Sequence, residues 1–521
     1  MRALLTVRYR KSRLACHAAC VEIFRNELTS RRSGQWHRGA DPRRPRRVRV
    51  TFQRAAASLG VRRTEISVES RTSSRRTFLT LSMGLPLGAA LAACGTSGPA
   101  PSGGGTGGGA AGGSGGGGGK ATYWFLQGPP GEAPRTASVQ RFNKANPNGQ
   151  IAITTIQNDA YKTKIKTAIG ANQAPTIIWG WGGGGLRSYV QAGQVEDLTS
   201  WFGENAAVKD RLFPGAFGAA TIDGKIYAMP CETVQPIVLF YNKKVFEKVG
   251  VQPPQSYGDI LDLVKKFNAA GIAPFSLAGQ SRWTNMMWLE FLFDRIGGPE
   301  VFQAVFDGEK DAWNNPASIE ALTKMQELIK ANAFIKGFSS VTADSNADQA
   351  LLYTGKAAMM LHGSWSYGIQ QAQGGDIVPS GGLGWMNFPG VDGGKGDPTN
   401  TVGNPGQYLS ISSKATPEQK EIAKKFFATG VLDDQEQKDW VGTGGVPIVK
   451  GSDKLFAGSK DAEFLNFIYG VASNAKVFAQ SWDQALSPTA AEKLLDNIAK
   501  LFQLSISPQQ FATNMNAVIG K

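Results

Sequence analysis

Histidine chemistry is nearly ruled out by count. The 521-residue chain holds three histidines, His17, His37 and His362, and only the last lies in its globular body. A Ser-His-Asp triad there would have to use His362, and no strand-to-helix nucleophile elbow accompanies it. No His/Cys cluster offers a transition-metal site. Of four cysteines, Cys16, Cys20 and Cys94 lie in the first hundred residues. Cys231 is therefore left without a disulfide partner and reads as a small packed residue. Two glycine-rich signals also fail. Residues 114–121 approach a phosphate loop, but Ser114 and Ala121 stand where Gly and Ser/Thr are required. Gly180-x-Gly182-x-x-Gly185 follows a strand and matches the dinucleotide pattern. However, the helix after it is short, and no second strand ends in the acidic residue that a ribose would need. A glycosidase using paired carboxylates stays open, because carboxylate separation belongs to the fold and not to the sequence.

What the body does offer is tryptophan at the ends of segments. Trp124 lies in the first strand, and Trp179 and Trp181 close the apolar run 176–179. Trp283 precedes a Met-rich helix, Trp365 follows the strand 357–361, and Trp482 adjoins Asp483 and Gln484. An indole face suits the C–H face of a sugar ring, while amides and carboxylates satisfy its hydroxyls. The wrong sugar would leave buried polar groups unpaired, at about 1–3 kcal/mol each, so selectivity needs no catalysis.

Positioning such a set takes alternating strands and helices. Residues 121–126, 151–156, 176–179, 237–241 and 357–361 are short apolar runs bounded by Gly, Pro or Asn, and they read as strands. Ser256-x-x-Asp259, Thr416-Pro417-Glu418-Gln419 and Ser507-Pro508-Gln509-Gln510 are helix starts of the capping-box kind. The pattern predicts an α/β body with buried sheets, and about 400 ordered residues call for two lobes. In open sheets of this class, ligands bind beyond the carboxyl ends of the strands.

The formal net charge of +15 is misplaced as a clue to nucleic acid. Residues 1–76 hold 20 of the 56 Lys+Arg and 5 of the 41 Asp+Glu, leaving 36 of each sign in residues 77–521. The body is neutral, so neither nucleic acid nor another polyanion is an expected partner. Residues 1–73 read as a basic leader or as translated upstream sequence ahead of the true start. Ser74-Arg75-Arg76-Thr77-Phe78-Leu79 resembles a twin-arginine export signal, and an uncharged stretch at 77–93 follows. That stretch ends in Leu91-Ala92-Ala93-Cys94-Gly95, which looks like a lipobox, with Cys94 acylated and made the mature N-terminus. Residues 95–119 form a Gly-rich linker spanning roughly 25–30 Å. The expectation is an extracytoplasmic body tethered by lipid to the outer face of the membrane.

Several stretches in order resemble the extracellular solute-binding proteins (family 1) of carbohydrate ABC importers. They are residues 141–147 (RFNKANP), 174–179 (APTIIW), 189–193 (YVQAG), 238–246 (VLFYNKKVF) and 355–360 (GKAAMM) with Gly363-Ser364-Trp365. The likeness covers residues 120–521 and is strongest to members that bind xylobiose- or raffinose-like sugars. It implies a type II periplasmic-binding-protein fold, in which two α/β lobes are joined by strands crossing near 231–236 and 403–409. One lobe would hold 120–232 with about 408–455, the other 236–404 with about 456–521. The cleft between them would bind a neutral oligosaccharide and close on it for delivery to permease subunits. A monomer is expected, with no cofactor, no metal and no catalytic residue. The expected ligand set is Trp124, Gln127, Trp179, Trp181, Glu232, Gln235, Trp283, Trp365, Trp482 and Asp483. Gly182–Gly185 stand where some relatives have charged sugar ligands, which leaves room for a different or longer sugar. A tethered glycoside hydrolase or lyase is the alternative.

Overall fold

In a computed structural model, residues 120–520 are described. The expected export signal, lipobox Cys94 and linker lie outside them. Among the described residues no helix is long and apolar enough to cross a membrane.

Two sheets organise the chain. The first has the order Gln150–Ile156, Lys120–Leu126, Ile177–Gly180, Gln407–Ile411, Met229–Cys231. Its first three strands are parallel, and Gln407–Ile411 runs antiparallel to both neighbours. The second has the order Phe478–Gln480, Thr401–Asn404, Thr233–Asn242, Ala357–Gly363, Ala273–Phe275, with Leu383–Met386 and Val446–Pro447 also paired to the long strand Thr233–Asn242. Each strand read from the sequence is found, four of them extended by one to a few residues and the one expected at 176–179 shifted by one to Ile177–Gly180. All three capping boxes form, with side chain and backbone bonded reciprocally at Ser256, Thr416 and Ser507.

The chain passes directly between the two sheets at two places. Met229–Cys231 belongs to the first sheet and Thr233–Asn242 to the second, with Glu232 between them at φ 67°. Thr401–Asn404 and Gln407–Ile411 make the return passage through Pro405-Gly406. The long strand is buried on both faces, and its period of two divides it between cores. Val234, Val238 and Phe240 pack into the first core, Ile237 and Leu239 into the second. One expected boundary moves. The helix Ala462–Asn474 places Phe464, Leu465 and Ile468 in the first core, and Tyr367 stacks on Phe464 at 4.0 Å. The second-lobe tail therefore begins at the strand Phe478–Gln480 and not near residue 456. Cys231 is a free, buried thiol.

Candidate functional site

A cleft of about 460 Å³ lies between the sheets, lined from both lobes and from the crossing strands. The parallel strands deliver their following residues to it. Gln127 comes after Lys120–Leu126, Gln157 and Asn158 after Gln150–Ile156, and Trp181 after Ile177–Gly180. From the other lobe, Trp365 follows Ala357–Gly363, and Ser481, Asp483 and Gln484 follow Phe478–Gln480. This is the carboxyl-end placement that open α/β sheets favour.

Four of the expected tryptophans meet there. Trp179 and Trp181 contact edge to face at 4.6 Å in one lobe, and Trp283 and Trp365 lie 6.2 Å apart in the other. His362 sits edge-on to both members of the second pair, at 5.4 and 5.3 Å. Its Nδ1 lies 2.7 Å from Ser366 Oγ, and its Nε2 lies 3.3 Å from Asp348 Oδ2 without hydrogen-bond geometry. Ser366 is fully buried beneath His362, so this trio holds the ring in place and presents no nucleophile to the cleft. Gly363 has a packing reason: a Cβ there would lie 1.8 Å from the Trp365 ring.

Amides make the floor. Gln235 Oε1 accepts from Gln407 Nε2 at 2.6 Å, and its Nε2 donates to Thr233 Oγ1 at 3.2 Å. Asn404 Oδ1 and Gln407 Oε1 are buried without a protein partner and line the cleft. Of the four charges lining the cleft, three are paired with an opposite charge and Asp344 is held by a backbone N–H. Arg135 forms a two-pronged pair with Glu232 at 2.6 and 2.7 Å, and this outweighs the burial that would otherwise disfavour its charge. Lys162 Nζ meets Asp483 Oδ2 at 3.1 Å. Asp344 accepts the backbone N–H of Asp159 at 3.1 Å.

Three expected ligand residues lie elsewhere. Trp124 sits two residues before the end of its strand, outside the cleft, and its ring carries the Lys164 ammonium at 4.8 Å. Trp482 is a core residue of the second lobe, 2% exposed and stacked on Phe302 at 4.2 Å. Glu232 is 1% exposed and occupied by Arg135 and by the Trp179 indole N–H at 2.6 Å, so it orients cleft residues from behind. Gln127, Trp179, Trp181, Gln235, Trp283, Trp365 and Asp483 all line the cleft. The sequence reading missed Arg135, Lys162, Asn404 and Gln407. The last two flank the second crossing, which was the available signal.

Among the described residues no group of three or more His, Cys, Asp or Glu is placed to hold a metal ion. A structure from work on xylan utilization by the thermophilic bacterium Caldanaerobius polysaccharolyticus is 32% identical, with a TM-score of 0.69 over 77% of this chain and 100% of that one. A probable sugar-binding periplasmic protein of Mesorhizobium japonicum is 26% identical over 59% of this chain and 68% of its own length. A xylose/arabinose-binding protein of Haloferax volcanii is 26% identical over 51% of this chain, which spans 57% of that relative. Residues 128–437 match the family model described as bacterial extracellular solute-binding protein, and with three-fifths of its length inside that match the chain belongs to this family.

Proposed function

We propose that this chain is the lipid-anchored, extracytoplasmic receptor of an ABC importer, which captures a neutral oligosaccharide by lobe closure and hands it to the membrane permease. The observation that carries the reading is the charge balance of the cleft. Three of its four charges are ion-paired and the fourth, Asp344, accepts a backbone N–H, while indole faces and the unpartnered acceptors Asn404 Oδ1 and Gln407 Oε1 remain for a ligand. Such a surface suits a neutral polyhydroxylated molecule and penalises an anion, which would find no free counter-charge. Closure around the ligand would be the signal to the permease, and the ligand shifts that equilibrium by its differential affinity for the closed form. The likeness to a structure from work on xylan utilization and to a xylose/arabinose-binding protein supports xylo-oligosaccharides as the first ligands to try.

The test is calorimetry and thermal shift on the purified full chain with xylobiose, raffinose, maltose, cellobiose and chitobiose, followed by product analysis. Saturable binding with the sugar recovered intact is the expected result. Cleavage products would replace this reading with the tethered hydrolase or lyase, and silence across the panel would overturn it. Acylation of Cys94 is checked by mass spectrometry of the membrane-extracted protein.

A further inference from the structure

Beyond Trp181 the cleft opens into a second chamber of about 520 Å³, which more than doubles the space between the lobes. The two spaces share Lys162, Trp179, Trp181, Trp283, Asp483 and Gln484 as lining. The partition between them is the Lys162–Asp483 ion pair, whose ammonium lies 5.0 Å from the Trp181 ring and 5.7 Å from the Trp283 ring.

Three glycines, Gly180, Gly182 and Gly185, line the chamber on the first lobe, and two of them have no structural need to be glycine. Gly182 must be glycine: its φ is 74°, and a Cβ would lie 2.4 Å from the Ala219 carbonyl oxygen. Gly180 and Gly185 have no positive φ, and a Cβ on either would meet no heavy atom within 4 Å. Their missing side chains leave open volume facing the chamber. The opposite wall is polar and compensated, with Arg282 paired to Glu492 at 2.9 Å and to Asp496 at 2.6 Å. Indole edges and the Lys162–Asp483 pair are common to the chamber and the cleft.

We infer that this chamber is a further subsite, so that the ligand is an oligosaccharide of three or more units whose chain passes Trp181 and places a neutral sugar ring against Gly180 and Gly185. This rests on the proposed sugar-binding function and specifies ligand length. A disaccharide would occupy the 460 Å³ cleft alone. A longer chain gains the second surface without a new charge being buried.

Calorimetry on the full chain with di-, tri- and tetrasaccharides of the β-1,4-xylo, α-1,4-gluco and chito series tests it. In whichever series binds, the trisaccharide is expected to bind about tenfold or more tighter than the disaccharide. Gly185→Leu fills the chamber from a helix position with free space around it. It should bring trisaccharide affinity down to the disaccharide value, leave disaccharide affinity unchanged and not lower Tm. Gly180→Val carries the same expectation from the strand end. Equal affinity for di- and trisaccharide, or full trisaccharide affinity in both variants, overturns the subsite while leaving the receptor reading intact. Failure of every series at every length overturns the receptor reading itself, and the subsite with it.

Discussion

Asp344 of one lobe caps a helix of the other: both its carboxylate oxygens accept the backbone N–H of Asp159, at 3.1 and 3.2 Å. That helix, Asn158–Gly170, has no capping side chain of its own at Gln157. Its first N–H groups would otherwise need water. The Asp159 side chain returns the link, accepting from Ser281 Oγ at 2.7 Å and from the Trp283 indole at 3.1 Å. These bonds join the lobes across the cleft, so in the proposed closure they would hold the lobes together. Loss of a helix cap costs about 0.5–2 kcal/mol. Asp344→Ala is therefore expected to weaken sugar binding by about two- to thirtyfold. The change should fall mainly on the dissociation rate. Stopped-flow tryptophan fluorescence checks this, and an unchanged dissociation rate would remove the cap from the closure mechanism.

Two tryptophans that look alike in sequence are expected to behave oppositely. Trp365 is partly exposed in the cleft, and Trp365→Ala should weaken binding at least tenfold, about 1.4 kcal/mol, with little change in melting. Trp482 packs against Phe293, Phe302 and Trp313, and Trp482→Ala should cost about 3–5 kcal/mol of stability. Denaturant unfolding and calorimetry on both variants separate the roles. A large stability loss at Trp365 would mean that it is a core residue too.

The Arg135–Glu232 pair predicts a split between folding and binding. Both groups are buried, and removing one partner of such a pair costs about 3–5 kcal/mol, so Glu232→Ala should lower Tm sharply. Replacing both, as Arg135→Met with Glu232→Leu, should recover much of that stability. Sugar affinity should not recover, because the Trp179 indole loses the acceptor that fixes its orientation. Recovery of both together would show that Trp179 needs no such anchor.

The strands and helix starts were legible because their signals are local: an apolar run between breakers, or a Ser three residues before an Asp. Candidate residues at strand ends were legible for the same reason, and Gln127, Trp181 and Trp365 line the cleft. Trp482 was not distinguishable from them. The ring that covers it, Phe302, comes from a helix 180 residues earlier in the chain. Likewise Glu232 looked like a free hinge carboxylate until Arg135, 97 residues away, arrived to occupy it. Contacts at that separation depend on the register of whole elements, which no single window of sequence contains.

Stability should fall as the medium turns alkaline, which is the reverse of the usual carboxylate behaviour. Burial raises the Glu290 carboxyl to about 8, against a partial lowering by the Trp482 backbone N–H that it accepts and a further raising by Asp483. Burial likewise raises Glu436 to about 7. Unfolded, both titrate near 4.5. Between 4.5 and these values the native state binds more protons than the unfolded one, so unfolding free energy decreases with rising pH. The contribution is complete below pH 4.5 and is lost by the time pH passes 8. Tm measured at pH 5.5 should therefore exceed Tm at pH 8.5. Glu290→Gln, which stays neutral and can still accept the Trp482 N–H, should flatten the profile. A Tm that rises over that range, or a Gln variant with an unaltered slope, would show that the Glu290 carboxyl is ionised in the native protein at neutral pH.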